Sequence, residues 1–135
     1  MTSRAEQPEC LSIIICDDIY RDEVTRKLIL VGTFNQIGVP SLPCVHPRMS
    51  VMFTLTNGRG SQELSLSIEH EETGEQVIEM SGPFEMGDPL AILDINVVLK
   101  NLRFLRPGKH WVVLKAQGAI VCQRPFFIQV VTESS

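Results

Sequence analysis

No apolar run in this chain approaches the length that crosses a bilayer; stretches such as Ile13-Ile14-Ile15 stop far short. The opening Met1-Thr-Ser-Arg-Ala-Glu-Gln-Pro-Glu9 has no apolar segment behind a basic lead. A secretory signal is therefore not expected, and a soluble, cytoplasmic protein is. Aromatic residues are scarce, with one Trp and one Tyr, which counts against a carbohydrate site built from several stacking rings. A net charge of -4 supplies no electrostatic pull toward nucleic acid. Zinc-type spacing is missing too: Cys10, Cys16, Cys44 and Cys122 form no Cys-x-x-Cys pair, and the three histidines form no His-x-x-x-His pair. In a cytoplasmic setting these cysteines read as reduced, small hydrophobes.

What is present is a rhythm of two. Leu64, Leu66 and Ile68 alternate with Ser65, Ser67 and Glu69, the pattern of a strand with one wet face. Shorter or less regular runs predict strands at Leu11 to Cys16, Lys27 to Phe34, Met49 to Thr56 and Gln76 to Met80. Asp17, Asp18 and Asp22 are expected in a charged turn, Asn57-Gly58-Arg59-Gly60 in a hairpin turn, and Gly82-Pro83 at the end of a strand. Gly38 to Pro47, with Pro40, Pro43 and Pro47, reads as a loop crossing between sheets. Pro89 to Leu99 fits both helical and alternating spacing, and Ile95, Val97 and Val98 favour strand. From Leu102 to Val131 the turns Pro107-Gly108 and Gln117-Gly118 frame a closing hairpin. The expectation is one all-β domain, residues 10 to 132, behind a flexible arm of residues 1 to 9. Its architecture should be an antiparallel, immunoglobulin-like β-sandwich of about seven to eight strands.

Several of these segments together carry a resemblance. They are Cys16-Asp17-Asp18, the Lys-Leu-Ile-Leu-Val-Gly-Thr-Phe strand from Lys27, and Val-Pro-Ser-Leu-Pro leading to His46-Pro47. Pro107-Gly108, Gly118 and Arg124-Pro125-Phe126 complete it. The pattern resembles a family of small uncharacterised bacterial proteins of unknown function, which implies a bacterial β-sandwich without an assigned activity. One departure stands out: two residues after Pro107-Gly108, where an aromatic is expected, stands His110, and Trp111 follows.

Candidate chemistry is thin. Cys44 and His46 stand two apart, with Cys10, Cys16, Cys122, His70 and His110 as spare ligands, and no metal site is expected from that spacing. Asp17, Asp18 and Asp22 lack the ladder of a calcium loop and read as turn acids. There is no Gly-x-Ser-x-Gly elbow, no phosphate-cradling glycine loop and no reactive-cysteine context. His70 continues the inward phase of Ile68 and reads as a packed histidine. A non-enzymatic protein without a cofactor is expected.

Charge and surplus apolar side chains say more. Gly60 to Leu99 contains no Lys or Arg, while Lys100 to Arg124 contains no acid. Cross-strand pairing is the plain reading, worth about 0.2 to 1 kcal/mol per pair. The sharper one is a molecule with an acidic and a basic side. If Val112, Leu114 and Ala116 face the core, Trp111 and Val113 face outward beside Lys115, joined by Val121 and Phe127. Such a patch predicts a protein partner or self-association into an oligomer through the outer face of the hairpin, with neither nucleic acid nor membrane involved. The alternative is a carbohydrate- or small-ligand-binding sandwich using Trp111.

Overall fold

The computed structural model describes residues 7–131. Alternation becomes strand throughout: β1 (Glu9–Arg21), β2 (Leu28–Thr33), β3 (Gln36–Val39), β4 (Cys44–Thr56), β5 (Gly60–His70), β6 (Gln76–Met86), β7 (Leu93–Phe104), β8 (Gly108–Ala116) and β9 (Ala119–Val130). Four strands form one sheet in the order β2-β1-β4-β7. Five form a second sheet, in the order β3-β9-β8-β5-β6, which curls into a half-barrel. No described helix is long and apolar enough to cross a membrane.

Two of the predicted hairpin turns form at the predicted residues. Gln117 and Gly118 are both left-handed, at φ 52° and 80°, so the β8–β9 connection has the two positive φ angles of a tight hairpin turn. Asn57, just after β4, and Gly60, which opens β5, are likewise left-handed. The segment that was open between helix and strand is a strand from Leu93 onward. It pairs along β4 from Leu93 opposite Leu55 to Phe104 opposite Cys44.

Five expectations are corrected. Nine strands replace seven or eight, and the pairing is not wholly antiparallel: β3 adds to β9 in parallel, Gln36 opposite Phe127 and Val39 opposite Val130. β3 overlaps the start of the segment that its prolines mark as loop, and its alternation is cut short at Pro40. Asp17 and Asp18 lie within β1, not in a turn, and the turn begins only at Asp22. The proline-rich segment is not all loop, since its ends belong to β3 and β4. Finally, Gly82-Pro83 does not stop β6; Pro83 lies opposite Glu63 on an outermost strand, where a missing N–H is tolerated.

The core lies between the layers. Ile15, Val51, Leu55 and Leu99 of the four-stranded sheet meet Ile68, Val112, Leu114 and Phe126 of the other, all fully or almost fully buried. Residues 1–6 of the expected arm lie outside the described part; Pro8 is buried and Glu9 opens β1 opposite Thr56.

Candidate functional site

The outer face of the β8–β9 hairpin is the first candidate. Trp111 faces out as its strand phase requires, between Pro125 and Glu69 in register. It is half-buried and already engaged: its indole N–H donates to Glu71 Oε1 at 3.2 Å, and Lys109 Nζ sits 4.8 Å from the ring centroid. Lys109 also pairs with Glu71 at 3.7 Å, and Arg106 with Glu75 at 3.4 Å. Both pairs join the acid-rich and base-rich segments, but at the connections and not across a strand ladder: Glu71 and Glu75 lie between β5 and β6, and Arg106 between β7 and β8.

The apolar patch itself is not continuous. Val113 is only 2% exposed, and Val121 is half-buried against the core. A register shift between Leu114 and Lys115 leaves Val121 without a partner, so alternation misassigned it. Lys115 is half-buried, and Phe127 alone of the five is well exposed.

His110 takes the place of the missing aromatic and faces inward, 1% exposed. Its ring stacks on Phe126 at 5.6 Å and meets Phe104 and His70 edge-on at 5.3 and 4.9 Å. Nδ1 lies 3.0 Å from Gly108 O. Loss of hydration pushes its pKa down, with a smaller push from His70 and an opposing contribution from the Gly108 carbonyl. His70 is satisfied at both nitrogens, by Thr73 and by Pro107 O, each at 3.0 Å. This is a packed histidine pair within an aromatic cluster.

The three acids of the opening segment separate. Asp22 Oδ1 accepts the backbone N–H groups of Thr25 and Val24 at 2.7 and 2.9 Å, which lower its pKa. Asp18 pairs with Arg48 across the β1–β4 ladder at 3.1 Å. Asp17 lines a cleft of about 330 Å³ with Thr33, Phe34 and His46. His46 Nε2 is withdrawn from the surface there, without a hydrogen-bond partner among the described residues. Cys44 is half-buried beside it in sequence, and Cys10 and Cys122 touch each other across the β1–β9 seam. Among the described residues no three or more His, Cys, Asp or Glu side chains converge as a metal site would require.

A second cleft, of about 320 Å³, opens between the sheets at their β6–β7 side. Phe53, Ile95 and Val97 line one wall, and Leu66, Met80 and Phe84 the other. β6 and β7 end their respective sheets, so each carries an unpaired backbone edge. The inward phase of Ile95 and Val97 was legible in the sequence. That no strand closes over them was not, because only topology makes β6 and β7 outermost.

A search of curated proteins found no match. Among solved structures, the chain is similar to Pseudomonas fluorescens alkylpurine DNA glycosylase AlkC bound to DNA containing an abasic site analog. The TM-score is 0.50 at 17% identity, over 70% of this chain and 27% of that one. The chain therefore spans about a quarter of that protein, and the likeness concerns the fold. A family model matches residues 11–129, nearly the whole of both sheets. The chain belongs to DUF6941, a family of unknown function.

Proposed function

We propose that this domain is a non-catalytic protein-interaction module that takes an extended segment of its partner along the β6–β7 opening. One observation carries the reading: an apolar cleft of about 320 Å³ lies between two unpaired strand edges. An added strand bonds its backbone to a free edge and sends alternate side chains into a cleft beside it. Apolar side chains suit Ile95, Val97 and Met80. The exposed Glu79 and Glu85 of β6, in a stretch without Lys or Arg, favour basic residues between them.

The reading moves the contact surface away from the hairpin face, where Trp111 is engaged and Val113 is covered. A blocked peptide of alternating lysine and valine, titrated into ¹⁵N-labelled protein, should shift amide signals of β6 and β7. Met80→Asp, on a side chain already 39% exposed, should abolish the response without unfolding the domain. Shifts located elsewhere, or an unchanged response in Met80→Asp, would count against the proposal.

A further inference from the structure

The geometry points to β2 as a self-pairing edge, along which a second copy of this chain adds its own β2 antiparallel. Leu28-Ile29-Leu30-Val31 is a continuous apolar run, the composition of a strand covered on both faces. The fold leaves it at the margin instead: β2 ends the four-stranded sheet, with β1 on one side and no strand on the other. Ile29 and Val31 are each 46% exposed, and Tyr20, opposite Ile29 on β1, is 57% exposed. Leu28 and Leu30 are only half-buried.

The other three sheet ends are guarded and β2 is not. A free edge is ordinarily blunted by shortness, by proline or by charge. β3 has four residues. β6 carries Pro83 with the exposed Glu79 and Glu85, and β7 carries the exposed Asp94, Lys100 and Arg103. The acids of β6 select a basic strand. From Leu28 to Val31, β2 has no charge and no proline, so it makes no such demand. Its edge is interrupted only at Gly32, which is left-handed at φ 72°.

The two ends of the strand identify the occupant. Arg26 and Lys27 lead into β2, both exposed, and neither side chain is in an ion pair among the described residues. At the far end a Cβ placed on Gly32 would collide with Asp17 Oδ2, so this carboxylate lies against the close of β2. Asp17 is likewise in no ion pair among the described residues. The strand thus runs from a basic end to an acidic one. Antiparallel pairing with its own copy sets each basic end beside the other's acidic end, twice by symmetry. With the two-fold axis at Leu30, Ile29 of each copy lies beside Val31 of the other. A parallel neighbour would set like charge against like. Each chain has one β2, so the contact closes at two copies.

Sedimentation equilibrium from micromolar to millimolar protein tests this pairing. The chain should show a reversible monomer–dimer equilibrium that goes no further, and the ¹⁵N amide signals of Leu28 to Val31 should move with concentration. Val31→Lys, on an exposed side chain, should keep the circular dichroism of the parent and hold the chain monomeric. Lys27→Glu and Asp17→Lys should each weaken the dimer about tenfold, because each contact occurs twice. Combining the two exchanges should restore it. A monomer at every concentration, a dimer untouched by Val31→Lys, or no restoration in the double exchange would each overturn the assignment. Met80→Asp should leave this dimer intact, so failure here and failure of the β6–β7 reading are distinguishable.

Discussion

Pro47 on β4 lies opposite Asn101 on β7, at the one place where the otherwise unbroken pairing of the two strands skips a step, and Asn101 is left-handed at φ 55°. The inward phase changes there on both strands. Met49 and Leu99 face the core on one side of the break, and His46, Leu102 and Phe104 face inward on the other. Proline cannot donate to a ladder, and a left-handed residue opposite it changes the facing of the partner strand. The break thereby keeps Leu102 and Phe104 in the core and turns His46 into its cleft.

Asn101 should accordingly be sensitive to shape and not to size. Asn tolerates the left-handed region, whereas a β-branched residue does so at a cost of about 1–2 kcal/mol. Asn101→Val should lower unfolding stability by that amount in urea titrations, while Asn101→Gly stays within about 0.5 kcal/mol of the parent. Equal loss in both variants would mean that the side chain, and not the backbone, matters at this exposed position.

Acid should weaken the fold through His110. Burial lowers its pKa in the folded state below the ordinary histidine value, so between those two values the unfolded chain binds more protons. This contribution leaves stability intact above about pH 6.5 and erodes it as pH falls below. The groups facing His110 are His70 from β5, Phe104 from β7 and Phe126 from β9, so His70 is its sole titratable neighbour in the cluster. Thermal unfolding followed from pH 7.5 to pH 5 should fall less steeply in His110→Phe than in the parent. Parallel profiles would remove His110 as the cause.

Cys122 should resist alkylation. Burial holds its thiol far above the ordinary range, and contact with Cys10 pushes in the same direction. The reacting species is the thiolate, so at pH 8 iodoacetamide should modify Cys122 about a hundredfold or more slowly in the native protein than in urea. Peptide mapping by mass spectrometry reads the site directly, and comparable rates in the two states would contradict a buried thiol.

Much of the fold was legible because its signals are local. Leu64, Leu66 and Ile68 announce a strand with one dry face, and Gln117-Gly118 announces a two-residue reversal, from residues adjacent in the chain. The inward positions of Val112, Leu114, Ala116 and Phe126 followed from the same alternation. The candidate sites were less legible. Val113 points outward as read and is nonetheless covered, and Asp17 looked like a turn acid while it sits in mid-strand facing a cleft.

The amino-acid sequence by itself determined the strand-forming segments, most of their facings and the hairpin turns, since a period of two and left-handed turn residues act over a few bonds. Tertiary structure alone decided that β3 runs parallel to β9, that β6 and β7 stand unpaired beside an apolar cleft, and that Asp17 and His46 share another. Alternation states which way a side chain points. What lies over it depends on residues distant in the chain, brought there by the burial of the whole apolar surface.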